Sequence, residues 1–297
     1  MSAASFDDVL REGRDSLRAC RVATPDLDAR VLLCHAAGLT REGLMRAGTS
    51  AAPAAVAEAF RTLIVARCGG RPVSRLTGRR EFHGLDLAIT GATLDPRADT
   101  ETLVAGVLAR VERMRGVRIT DLGTGSGAVL VALLAALPRA RGTGTDISSR
   151  ALAVARANAR AVGVSARAAF VLSDWAARDL PLADVLVSNP PYIARGEIPG
   201  LAREVRAHDP CRALDGGGDG LAAYRAIVAA LPRLLRPGGL IALECGSRQA
   251  EAVMAILDRA GASARGPGLG MVRDLAGQPR VVIARAEKGL GLRRVSG

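Results

Sequence analysis

Apolar residues recur at helical spacing from the N-terminus to about residue 75, and small or polar residues punctuate the runs. Ser5 precedes Phe6. Thr24 and Pro25 open a run through Val31, Leu32 and Leu33 that stops at Gly38, and the stretches Thr40 to Gly48 and Pro53 to Gly69 repeat the scheme. A helical domain over residues 1–75 follows from this pattern. It carries no polar cluster of its own, which suits docking of a substrate rather than catalysis.

Between Gly70 and Ala98 the helical spacing is lost, and Gly78, Gly84, Gly91 and Pro96 interrupt short alternating runs such as Leu85 to Ile89. Residues 76–98 therefore read as a linker that contains a β-hairpin. From Asp99 onward apolar strands alternate with helical segments. The expected strands cover 117–121, 142–146, 169–174, 184–189 and 240–244, with two more near Met271 and Val281. The expected helices start at Ser126 and Ser148 and cover 221–235. This alternation predicts an α/β domain with a mostly parallel sheet over 99–287. Residues 288–297, with Arg293 and Arg294, show no periodicity and read as a disordered basic tail.

Composition narrows the picture. The chain has 297 residues, 49% of them hydrophobic, which is enough to bury a core and excludes extended disorder. Acidic residues stand near the N-terminus where a signal peptide needs basic and then apolar ones, and no apolar run reaches the ~18 residues of a membrane span. A soluble, cytoplasmic protein without a membrane partner is expected. The 41 Lys and Arg against 29 Asp and Glu leave 41 − 29 = +12 at pH 7. Such an excess suits nucleic acid or the ribosome as a neighbour. The scarcity of Lys beside abundant Arg, Ala and Gly fits a chain-wide compositional bias equally well. Cysteines 20, 34, 68, 211 and 245 form no close pair, so reduced thiols and no metal site are expected. Histidines 35, 83 and 208 are scattered and receive no chemistry.

In a doubly wound sheet, ligands bind outside the carboxyl ends of the strands, and that is where the unusual residues fall. Gly123, Thr124, Gly125, Ser126 and Gly127 follow the first strand of the domain and open a helix. Glycines there let the backbone turn sharply and approach a ligand. The loop lacks the Lys of GxxxxGK[ST] and the spacing of GxGxxG, so by itself it is a weak signal. Asp146, at the end of the second strand, stands where a carboxylate accepts from two ribose hydroxyls. Together the loop and the acid imply a nucleoside-containing cofactor. After the third strand, Asp174 can receive an adenine amino group while Trp175, the chain's one Trp, covers the base.

The fourth strand runs into Asn189-Pro190-Pro191-Tyr192. Two prolines end sheet pairing and stiffen the loop, so that the Asn189 side chain and the Pro190 carbonyl are held toward the cofactor. An amide or ring-attached amino group has a delocalised lone pair. Two acceptors that grip its hydrogens orient the nitrogen for attack on an electrophilic methyl, and Tyr192 packs against the planar group.

At this point the chain resembles the class I S-adenosylmethionine-dependent methyltransferases, and within them the protein-(glutamine N5) methyltransferases of peptide chain release factors (the HemK/PrmC family). Besides the loops above, the resemblance rests on residues 28–33 (DARVLL), 81–85 (EFHGL), 97–104 (RADTETLV), 213–221 (ALDGGGDGL) and 274–277 (DLAG). Two positions depart from the family pattern: Ala98 stands where Pro is usual, and Cys245 replaces the Ile of a Glu-Ile-Gly stretch. The resemblance implies a Rossmann-like sheet, preceded by a small helical domain that grips the release factor, and methylation of the glutamine in a Gly-Gly-Gln loop. Carried over by position, Gly123 to Gly127, Asp146 and Trp175 contact S-adenosylmethionine, and Asn189, Pro190, Pro191 and Tyr192 the substrate glutamine. Positioning and desolvation carry such a reaction, and S-adenosylhomocysteine is the product. Two rival readings are a methyltransferase of exocyclic amino groups in RNA or DNA, which the same NPPY loop suits, and a non-catalytic adaptor. Only 2% of the residues are aromatic, too few for the stacking surfaces a base-flipping enzyme uses.

Overall fold

The computed structural model describes residues 4–111, 116–175 and 180–287. Five helices come first: α1 (Phe6–Ala19), α2 (Pro25–Ala37), α3 (Arg41–Ala47), α4 (Ala54–Cys68) and α5 (Val73–Thr77). Strands β1 (Arg79–Phe82) and β2 (Leu85–Ala88) then lead to α6 (Glu101–Val111), β3 (Arg118–Leu122), α7 (Ala128–Ala136), β4 (Arg141–Asp146) and α8 (Ser149–Ala161). The chain continues through β5 (Ala168–Leu172), β6 (Ala183–Ser188), α9 (Arg203–His208), α10 (Ala222–Leu234) and β7 (Leu235–Glu244). It closes with α11 (Ala250–Arg259), β8 (Ala262–Ser263), β9 (Gly270–Arg273) and β10 (Pro279–Ala286). Two compact units result: residues 1–79 with 202–208, and residues 80–201 with 209–297.

The first unit is helical. Ser5 and Asp8 form a reciprocal capping box at the start of α1, and Gly38 ends α2 in the left-handed conformation, as their positions in the sequence lead one to expect. Leu17, Leu32, Leu33 and Phe60 are fully buried at its centre. Gly13 is required on α1, because a Cβ there would lie 2.4 Å from the Phe60 ring. The buried Arg67 guanidinium pairs with the buried Asp28 carboxylate at 2.7 Å and also with Glu204 of α9. No helical pattern near the N-terminus announces that the 202–208 segment belongs here. The expectation of reduced thiols is corrected in one respect: Cys20 and Cys68, 48 residues apart, form a disulfide, while Cys34, Cys211 and Cys245 are free. Such a pair is set by the packing of α1 against α4 and leaves no trace in cysteine spacing.

In the second unit β1 and β2 form the expected hairpin. Its turn residues His83 and Gly84 both have positive φ, the geometry of a two-residue hairpin turn. The large sheet has the order β5-β4-β3-β6-β7-β10-β8, with β9 also paired to β10. The pairs from β5 to β7 are parallel, and β10 is antiparallel to its neighbours. Period-two alternation sends Val185, Val187, Leu240, Ala242, Val281 and Ile283 to one face, where α6 and α7 pack. Leu186, Ile241, Leu243, Val282 and Ala284 go to the other, against α10 and α11. Both faces are thus buried, which explains why these strands read as continuous apolar runs.

Several elements were absent from the sequence pattern: α5, α6, α9, α11 and β8. In addition, β7 begins at Leu235, five residues before the strand the sequence indicates, through Pro237, Gly238 and Gly239. The register shift between β6 and β7 at Ala183/Val185 accommodates that stretch. The tail expectation for 288–297 lies outside the described residues.

Candidate active site

Strand order reverses at β3: β4 and β5 lie on one side of it and β6 and β7 on the other. The loops leaving β3 and β6 therefore part and open a crevice at their carboxyl ends. A cavity of about 490 Å³ occupies it. The volume falls in the ~300–1,000 Å³ range of small-molecule sites.

The β3–α7 loop forms one wall. Gly123, Gly125 and Gly127 all have positive φ, between 57 and 79°. A Cβ on Gly123 would approach the Trp175 ring to 3.1 Å, so the ring lies directly over the loop. Thr124 turns inward and donates its hydroxyl to Asp121 at 2.6 Å, fitting over β4 because Gly144 has no side chain. Burial pushes the Asp121 carboxyl up to about 7, with Asp146 adding to the rise and the Thr124 hydrogen bond opposing it. Thr124 N–H donates to the Thr145 carbonyl, Gly127 N–H to the Thr124 carbonyl and Gly125 N–H to Asp146 Oδ2. With these amides committed internally, the loop meets a ligand by close backbone approach and not as a ring of anion donors.

Asp146 accepts from Gly125 N–H through Oδ2 and from Ser148 N–H through Oδ1, at 2.9 and 2.8 Å. A carboxylate offers about four lone-pair positions, so two remain for a pair of hydroxyls. Behind the loop, Asn158 of α8 accepts from Ala88 N–H and donates to the carbonyls of Ala88 and Ser126. One buried amide thereby ties the hairpin to the glycine loop.

The opposite wall carries the NPPY loop. Ser188 is fully buried and donates to the Leu122 carbonyl at 2.7 Å, which locks the ends of β6 and β3 together. Asn189 follows at the cavity wall, its Nδ2 donating to Thr100 Oγ1 at 3.2 Å. Gln249 clamps the next turn by donating to the carbonyls of Tyr192 and Gly220 and accepting from Gly246 N–H. Gly220 cannot be larger, since a Cβ would sit 2.5 Å from the Tyr192 carbonyl. Burial, with a smaller contribution from Glu244, pushes the Tyr192 phenol up to about 12.

Of the residues singled out in the sequence, Gly123, Thr124, Gly125, Ser126, Asp146, Asp174, Trp175, Asn189 and Pro191 line the cavity. Gly127, Pro190 and Tyr192 do not. Gly127 is the left-handed cap of α7, Pro190 is buried, and Tyr192 sits near Gly246 and Glu244. Sequence reasoning missed Thr93, Thr100, Arg150 and Arg212, which also line it. Isolated residues of these types carry no spacing signal.

Residues 8–78 match the family model of the PrmC N-terminal domain, and residues 98–219 that of the methyltransferase small domain. A release factor glutamine methyltransferase from Rhodospirillum rubrum is 44% identical over 284 residues, 96% of this chain and 86% of that one. The chain belongs to the release factor glutamine methyltransferase family. Proteins of that name from Moorella thermoacetica, at 45% identity over 93% of this chain and 96% of theirs, and from Bradyrhizobium diazoefficiens, at 43% over 91% of each, agree. The family's methyltransferase model begins at residue 98 and takes in the glycine loop, Asp146, Trp175 and the NPPY loop. No helix among the described residues is long and apolar enough to cross a membrane.

Proposed function

We propose that the protein transfers a methyl group from S-adenosylmethionine to the side-chain amide nitrogen (N5) of the glutamine in the Gly-Gly-Gln loop of class 1 peptide chain release factors. S-adenosylmethionine, when bound, supplies an electrophilic methyl group on a sulfonium. The residues present suit it: Asp146 has two lone-pair positions to spare for ribose hydroxyls, Trp175 offers a ring face, and the loop from Gly123 permits close approach. Asp174, beside Trp175 in the cavity wall, receives an amino group of the base in this reading.

The observation that carries the reading is the commitment of Asn189. Its Nδ2 donates to Thr100, which turns the nitrogen end toward Thr100 and leaves the acceptor Oδ1 for a substrate. A carboxamide NH₂ brings two donors. Asn189 Oδ1 receives one of them, which orients the amide and turns its nitrogen toward the cavity. Pro191 and Tyr192 keep that loop stiff, and the surplus proton leaves to water. The helical unit, which carries the exposed apolar side chains Leu27, Met45 and Val65, is assigned to docking of the release factor.

Radiolabelled methyl transfer from S-adenosylmethionine to a purified release factor tests the reading, beside the same factor with its Gly-Gly-Gln glutamine changed to alanine. Label on the intact factor alone supports it. Label on both, or on neither, refutes it.

A further inference from the structure

Glu244 ends β7 and is 1% exposed, yet its Oε2 has no hydrogen-bond partner. Register places it beside the NPPY loop: Ser188 of β6 pairs with Leu243, so Asn189 and Glu244 are the next residues on adjacent parallel strands. The buried Thr100, in the turn that precedes α6, completes the group. Its Oγ1 accepts from Asn189 Nδ2, and Thr100 and Asn189 both favour the charged form of the Glu244 carboxyl.

A carboxamide can be turned over with almost no change of shape, which exchanges an acceptor for a donor at the cavity wall. Asn189 needs a reason to present Oδ1. We propose that Glu244 and Thr100 are positioning residues that select the orientation of the Asn189 carboxamide, and with it the preference for a substrate group that brings hydrogen-bond donors. A carboxylate beside Thr100 and Asn189 favours hydrogen-bond donors turned toward it, so that Nδ2 and not Oδ1 faces Thr100 and Glu244. The reversed amide would set Oδ1 against the carboxylate and meet the substrate NH₂ donor to donor, which costs the buried partners their hydrogen bonds.

This inference rests on the reading that Asn189 receives the substrate amide, and it adds a pH dependence. Burial pushes Glu244 up to about 7; Thr100, Arg280 of β10 and Asn189 oppose the rise, and Asp99 adds to it. The other titratable neighbours are Tyr192, Cys245 and Tyr224, whose hydroxyl donates to the Glu244 backbone carbonyl. Below that value the carboxyl carries a proton, becomes a donor itself and no longer selects the productive amide. The turnover number should fall as pH drops through about 7, with cofactor affinity changing far less.

The test compares kcat profiles from pH 5.5 to 9, together with calorimetric binding of S-adenosylmethionine, for the parent and for Thr100→Val, Thr100→Ser, Glu244→Gln and Asn189→Ala. Thr100→Val should lose about tenfold or more in kcat, the equivalent of one lost oriented hydrogen bond. Thr100→Ser, which keeps the hydroxyl, should restore most of it and thereby exclude a folding defect. Glu244→Gln should remove the acid limb. Parent-like kcat in Thr100→Val, or an unchanged acid limb in Glu244→Gln, while Asn189→Ala is inactive, overturns the positioning role alone. Full turnover by Asn189→Ala overturns the reading of the site on which it stands.

Discussion

Asn158 makes three hydrogen bonds from one buried side chain, and its removal separates the hairpin from the glycine loop. Asn158→Ala leaves the Ala88 N–H, the Ala88 carbonyl and the Ser126 carbonyl without their partner. An unpaired buried polar group costs about 1–3 kcal/mol, but Ala88 is half-buried and water can reach its edge, so the Ser126 carbonyl dominates. A loss of about 3 kcal/mol is expected once the emptied side-chain volume is added. Asn158→Asp should be worse. It keeps an acceptor for Ala88 N–H but sets a carboxylate oxygen against two carbonyls. Urea unfolding followed by the fluorescence of Trp175, which lies over the same loop, measures the loss in the unit concerned. Because Ser126 lines the cavity, S-adenosylmethionine affinity should fall in parallel. A loss below about 1 kcal/mol in Asn158→Ala, or Asn158→Asp more stable than Asn158→Ala, would refute the reasoning.

Two further outcomes follow from the same geometry. Gln249→Leu frees the carbonyls of Tyr192 and Gly220, and should lower kcat with little change in cofactor affinity; steady-state kinetics beside calorimetry would separate the two, and a parent-like kcat would remove Gln249 from the account. Asp121 has a folded-state pKa raised to about 7 from 3.8, so the stability it lends is complete below about 4 and is lost as pH rises through 7. Asp121→Asn, which does not titrate, should therefore gain on the parent between pH 4 and 7, by a few kcal/mol at about 1.4 kcal/mol per pKa unit. A Tm difference that stays flat over that range contradicts the assignment.

Much of the fold was legible in the chain. Strand positions β3, β4, β5 and β6 could be placed to within about two residues; β3 and β6 are buried on both faces, so their apolar runs are nearly unbroken. The capping residues Ser5, Gly38 and Ser148 mark their helices as expected, Ser148 by accepting from Ala151 N–H. Helix α9 was missed because six residues are too few to show a period. The site was legible where chemistry is written locally: the glycine loop, Asp146, Trp175 and Asn189 each begin within three residues of a strand's carboxyl end.

What the sequence alone determined is encoded over the length of one element: where the central strands of the sheet lie and which loops carry ligand chemistry. Tertiary structure decided which polar group faces which. Asn189 meets Thr100 across 89 residues, Asn158 meets Ala88 across 70, and Gln249 meets Tyr192 across 57. The pairing of Cys20 with Cys68 and of Arg67 with Glu204 is of the same kind. Side-chain periodicity reports burial, which is a property of a single element. A hydrogen bond between distant residues depends on strand order and on the crossovers that bring two elements side by side, and neither leaves a local mark in the chain.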